Sequence, residues 1–142
     1  MTLPPAIEAF VRDARVARLA TVDEAGRPHV VPVCFVYAVG AVFSVLDEKP
    51  KRVPVERLRR VRNLIENPNV QLLVDRYDED WTRLAYVQLR GRAGLLREGE
   101  THAAALAALR QKYPQYRDMR LEEAPMIRVA VEGYVAWGAG LE

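Results

Sequence analysis

Between Lys49 and Arg62 the chain reads Lys-Pro-Lys-Arg-Val-Pro-Val-Glu-Arg-Leu-Arg-Arg-Val-Arg, seven cations against the single carboxylate of Glu56. Like charges this close repel one another. A protein with a formal net charge of only +2 gains nothing from grouping a third of its 21 Lys and Arg unless an anion sits among them. Charged hydrogen bonds contribute about 1.5–3 kcal/mol each and exposed ion pairs about 0–1 kcal/mol, so three or four converging cations suffice for a micromolar phosphate site. Pro50 and Pro54 stiffen the segment and lower the entropy lost on ordering it. The charge pattern alone also leaves open a solvated helix face paired with Asp75, Asp78, Glu79 and Asp80.

Other reactive side chains are few. His29 is a candidate proton donor, although a lone strand histidine is more often a surface or hydrogen-bonded residue. Cys34, between Val33 and Phe35, reads as a small buried hydrophobe rather than a nucleophile. Trp81, Tyr86 and Trp137 have faces that suit a planar conjugated ring, with barrel core or subunit interface as the alternative. Thr21 and Ser44 are polar contacts at strand ends. No acid–base dyad or nucleophile triad is visible, so no catalytic residue is assigned. Two histidines far apart and one cysteine make neither a disulfide framework nor a zinc centre.

The elements that must position these residues follow from periodicity. Ile7, Phe10, Val11 and Ala14 recur at helical spacing after Pro4-Pro5. Strands are expected over Val16–Val22, His29–Val39 and Ala41–Leu46, joined at the Asp23–Gly26 and Gly40 turns, with Pro32 demanding an edge or a bulge. Leu58, Val61, Leu64 and Ile65 form the apolar stripe of a second helix, stopped by Asn67-Pro68-Asn69. Val70–Val74 is an apolar strand followed by an acidic loop, Asp75–Asp80. Leu84–Leu96 is a long alternating strand with bend or bulge points at Gly91 and Gly94. An alanine-rich helix, Glu100–Tyr113, ends at Pro114, and Met126–Trp137 is the last strand. Six strands with three marginal helices predict one mainly β domain over 1–142, a small barrel.

Half of the 142 residues are hydrophobic and 28% are charged, ordinary for a globular protein. No apolar run has the length of a membrane span and the N-terminus lacks a signal pattern, so a cytoplasmic protein without a membrane partner is expected.

Taken in order, these motifs resemble a known family. Arg18-Leu19-Ala20-Thr21-Val22, Gly26 through Val33, Asp47-Glu48-Lys49-Pro50-Lys51-Arg52, Arg60-Val61-Arg62-Asn63-Leu64, Asn67-Pro68-Asn69-Val70 and Tyr77 through Trp81 resemble the pyridoxamine-phosphate-oxidase-like split-barrel family. The nearest branch is that of flavin- and deazaflavin-dependent oxidoreductases with Lys-Pro-Lys-Arg and Glu-Asp-Trp. The resemblance implies a six-stranded antiparallel split β-barrel that dimerises, with FMN or the deazaflavin F420 in grooves at the interface. It implies hydride transfer to or from a small organic substrate. Carried onto this chain, Val31, Pro32 and Val33 offer backbone groups to the ring, and Lys49, Lys51, Arg52 and Arg60 meet the phosphate or anionic tail. Asn63 follows as a helix-borne support; Trp81 is added to the cofactor site not from the resemblance but from its aromatic face in an acidic loop, where a core role is less natural. Ala85-Tyr86-Val87-Gln88 departs from the branch, which often carries a tryptophan pair and an arginine there.

FMN carries one phosphate, whereas F420 carries a phosphodiester and an oligoglutamate tail. Seven cations along a loop and helix fit the longer polyanion better. The alternatives are an FMN enzyme of the pyridoxamine-phosphate-oxidase type and a flavin- or deazaflavin-binding protein without turnover. Nucleic acid is not an expected partner, because the basic segment has no aromatic residue to stack bases and acidic residues follow at Asp75–Asp80.

Overall fold

The protein is described by a computed structural model covering residues 1–47, 54 and 57–142. A single seven-stranded antiparallel sheet makes the frame: β1 Ala17–Val22, β2 Pro28–Val33, β3 Val36–Ala38, β4 Ala41–Val45, β5 Asn69–Arg76, β6 Ala85–Leu96 and β7 Met126–Gly138. Its strand order is β2-β1-β5-β6-β7-β4-β3. Among the described residues three α-helices accompany it, α1 Pro5–Asp13, α2 Arg59–Glu66 and α3 Glu100–Lys112, with short 3-10 helices at Trp81–Arg83 and Pro114–Asp118. The mainly β, split-barrel architecture matches expectation, but the strand count is seven rather than six.

The extra strand comes from the run His29–Val39, which is two strands broken at Cys34-Phe35. Its first half pairs with β1 and its second with β4, so the two pieces lie at opposite ends of the sheet order. Only Cys34 and Phe35 join them, a span of at most about 11 Å from Val33 to Val36. The sheet must therefore curl until its two ends meet, closed by the chain rather than by a hydrogen-bonded ladder. Pro32 sits on β2 opposite Arg18, with no partner on the other side. Its missing N–H costs nothing there, as the edge rule requires.

Curling buries one face. Leu19, Phe35, Leu72, Val87, Leu89 and Val129 fill the interior, joined by Ile7 and Val11 of α1 and Val61 and Leu64 of α2. β4 is buried on both faces: Val42 points into this core, while Ala41, Phe43 and Val45 meet Leu106, Leu109, Tyr113 and Tyr116 under α3. This explains its unbroken apolar run. Ile65 does not belong to the α2 stripe; it is 61% exposed, and the buried polar residue Asn63 takes its place beside Leu64.

The bulge expected near Gly91 lies between β6 and β7. Arg90 pairs with Gly133 and Gly91 with Val131, leaving Glu132 as the additional residue. Gly91 admits no side chain, since a Cβ would collide with the Ala130 carbonyl, whereas Gly94 has open space around it.

Candidate functional site

β2 and β4 meet across the seam of the curled sheet. β2 pairs only with β1, and β3 covers Ala41–Phe43 of β4 but not Ser44 and Val45. Two unpaired strand edges therefore face a common gap. A pocket of about 410 Å³ fills it, lined by Val31, Pro32, Val33 and Cys34 on one side and Ser44, Val45 and Asp47 on the other. Leu58 and Arg60 also line it, and Tyr116 contributes from the 3-10 helix after α3. An unpaired strand edge presents alternating backbone donors and acceptors, the complement of a planar heterocycle with ring N–H and C=O groups.

The polar groups in this pocket are linked. The Tyr116 hydroxyl donates to Asp47 Oδ2 at 3.3 Å. Burial, followed by the nearby Cys34 and Asp47, holds that hydroxyl well above the usual phenol range, so it stays protonated. Burial also lowers the Arg60 pKa, and the Asp47 carboxylate offsets part of that effect. The Arg60 Nε atom is buried and has no hydrogen-bond partner among the described residues. A buried guanidinium nitrogen without an acceptor costs free energy, which an anionic oxygen in the pocket would recover.

The residues singled out from the sequence fall into four groups. Val31, Pro32, Val33 and Arg60 are brought together in the seam pocket. Lys49, Lys51 and Arg52 lie outside the described residues; Asp47 and Leu58, described on either side of them in sequence, both line the pocket. Asn63 is fully buried away from the pocket and donates through Nδ2 to Thr21 Oγ1 at 3.0 Å, tying α2 to β1. Trp81 is 70% exposed and lines a separate cleft with Thr82, Leu84 and Trp137.

Other candidates resolve similarly. His29 projects to the same side of β2 as Val31 but lines no part of the seam pocket. His102 is buried with Nε2 2.7 Å from the Ala124 carbonyl, a structural contact. Tyr86 and Trp137 pair on the outer face of the sheet, with ring centroids 5.9 Å apart. Asp47 and Tyr116 escaped sequence reasoning. Asp47 had a signal, its position two residues before the basic segment, whereas Tyr116 sits in a polar stretch whose path depends on packing beneath α3.

Solved structures share the fold. The heme storage protein HutZ from Vibrio cholerae superposes with a TM-score of 0.74 at 24% identity, covering 100% of this chain and 99% of that one. A conserved hypothetical protein from Mycobacterium tuberculosis gives 0.77 at 18% identity over 97% of this chain and 86% of that one. A FAD-binding protein from Mesorhizobium loti gives 0.69 at 19% identity over 95% and 94%. No curated protein matches the chain. Residues 3–138, spanning every strand identified above, match the family described as Pyridoxamine 5'-phosphate oxidase, and the chain belongs to that family.

Proposed function

We propose that the protein is an oxidoreductase that holds F420 in the seam pocket and passes hydride to or from a small organic substrate. The observation that carries this reading is the pocket itself. Two unpaired strand edges flank it, and in its wall Arg60 keeps a buried nitrogen without a partner among the described residues. The edges of β2 and β4 orient a flat ring, with Val31, Pro32 and Val33 on one side. Arg60, together with Lys49, Lys51 and Arg52 of the basic segment, takes the phosphate and tail.

When bound, such a cofactor supplies the hydride chemistry, and the protein supplies binding, orientation and electrostatics. Val16, Val31, Val33 and Val45 shield the ring from water, while Tyr116 keeps its proton and steadies Asp47. Asn63 serves the site indirectly, by fixing the helix that carries Arg60. Trp81 would reach this pocket only from a second copy of the chain. The uncovered outer face of the sheet, with Val30, Tyr86, Val135 and Trp137 exposed or half-exposed, is where we seat that copy in a homodimer.

Equilibrium titration of F420 and FMN into purified protein tests the reading, with Arg60→Met, Lys51→Ala and Arg52→Ala as variants. Tight F420 binding that weakens in all three supports it. Tighter FMN binding, with a yellow protein, transfers the site to a flavin enzyme. Tight binding without hydride transfer to any of a broad substrate panel makes it a cofactor-binding protein. Cofactor affinity unchanged by all three substitutions excludes the pocket.

A further inference from the structure

The chain meets its need for cations with arginine, 18 of them against three lysines, Lys49, Lys51 and Lys112. Lys112 stands out, because a guanidinium could donate to a carbonyl equally well, whereas only an amine can lose its proton and act as a nucleophile. It is the last residue of α3 and sends Nζ against the joint between β2 and β3. There it donates to the Phe35 carbonyl at 3.0 Å and lies 4.1 Å from the centre of the Phe35 ring. Arg15 is anchored next to it. Arg15 Nη2 donates to the Lys112 carbonyl at 2.7 Å, and its guanidinium lies 4.9 Å from the centre of the Tyr113 ring. Lys112 also lines a pocket of about 220 Å³ with Arg12, Tyr37 and Gln111. Lost hydration first and the Arg15 charge second favour the neutral amine, with Cys34 and Asp13 opposing more weakly.

We propose that Lys112 captures carbon dioxide as a carbamate seated in this pocket, with Arg12 in the wall and Arg15 beside it as counter-charges. The neutral Nζ adds through its lone pair to the carbon of CO2, one C=O electron pair moves onto oxygen, and the proton lost from nitrogen passes to solvent. No oxidant, reductant or further reactant is consumed. The product keeps one N–H, enough to hold the Phe35 carbonyl, and replaces a positive charge by a negative one. Repulsion from Arg15 thereby becomes attraction. At pH 7.5 an amine with a pKa of about 8 is about one-quarter neutral, whereas a lysine at the ordinary 10.5 is neutral in about one molecule in a thousand.

The test equilibrates the full chain with carbon-13-labelled bicarbonate and CO2 at pH 7.5. Carbon NMR detects the carbamate, and triethyloxonium ion esterifies it so that peptide mass spectrometry can locate it. A carbamate resonance and a trapped label on Lys112 are expected in the native protein. That label should exceed the one on the same lysine in the urea-unfolded chain at least about tenfold, after allowance for the lower basicity of the folded amine. Lys112→Arg should abolish the resonance. Arg15→Gln should reduce it about fivefold, the worth of one partly exposed ion pair. A Lys112 label no higher than in the unfolded chain, or label confined to Met1, Lys49 and Lys51, overturns the proposal. A native-level label unaffected by Arg15→Gln overturns the pairing with that arginine.

Discussion

Tyr113 places its hydroxyl 3.1 Å from both the amide nitrogen and the carbonyl oxygen of Phe35. Phe35 is one of the two residues at which the chain leaves one end of the sheet for the other, so its backbone has no strand to pair with. The hydroxyl accepts from the Phe35 N–H and can donate to the Phe35 or the Arg15 carbonyl, the latter at 2.8 Å, while Lys112 Nζ donates to the Phe35 carbonyl at 3.0 Å. One side chain from the end of α3 thereby replaces a missing ladder. Tyr113→Phe leaves a buried N–H without an acceptor. Urea unfolding should show a loss of about 1–3 kcal/mol. A change below about 0.5 kcal/mol would mean that the break holds itself.

Lys112 links the same joint to pH. Burial strips water from its ammonium, Arg15 adds repulsion, and the pKa is lowered from 10.5 to about 8. Between those values the unfolded chain keeps the proton and the folded chain releases it. This group therefore makes stability rise with pH from 8 to 10.5, and its unfavourable contribution is complete below pH 8. Because the side chain is only half-buried, solvent discounts the effect to about 1–2 kcal/mol. The difference in unfolding free energy between wild type and Lys112→Met should grow by that amount from pH 7.5 to roughly 10.5. A difference that does not vary with pH would contradict the shift.

Arg60 is held in the pocket at a cost, since its Nε has no partner among the described residues. Arg60→Met should weaken cofactor binding roughly 10- to 100-fold, the range expected for losing one charged hydrogen bond. Thermal stability of the ligand-free protein should stay level or rise. A Tm drop accompanied by unaltered affinity would reverse the assignment.

Asn63 predicts the opposite pattern. Asn63→Ala breaks its bond to Thr21 and opens a small cavity at a fully buried position, costing about 1–3 kcal/mol by chemical denaturation. The folded fraction should bind cofactor within about threefold of wild type. A selective loss of binding would put Asn63 back at the ligand.

Gly91 is needed for closeness rather than for unusual torsion. A Cβ there meets the Ala130 backbone oxygen, which cannot rotate aside, so Gly91→Ala should cost about 2–4 kcal/mol. Gly94→Ala, three residues along the same strand, is the control and should stay within about 0.5 kcal/mol. Calorimetry on the pair distinguishes steric collision from a general loss of strand flexibility.

Much of this architecture was legible because alternation and helical spacing survive in isolation. β1, β6 and β7 announce themselves through it, as does α1, whereas α3 was legible from its alanine content and the proline that follows. The division of His29–Val39 was not legible. Val30 through Val39 is nearly continuous in apolar and aromatic residues, and which half joins which strand is decided by partners distant in sequence. Ile65 misled because its spacing fits the α2 stripe, while the buried position went to Asn63, whose amide found Thr21. Of the site, the Val31–Val33 edge and Arg60 were within reach of motif order. Asp47 and Tyr116 were not recognised, since each acquires its role from the other.

The seam also has a mechanical meaning. Because β2 and the far end of β4 share no hydrogen bonds, their separation is set by a covalent hinge and by packing. Widening it by an ångström breaks no backbone bond, whereas the same displacement between β5 and β6 would strain a whole ladder. A frame with one compliant slit and otherwise rigid walls can adjust to guests of unequal girth without being rebuilt.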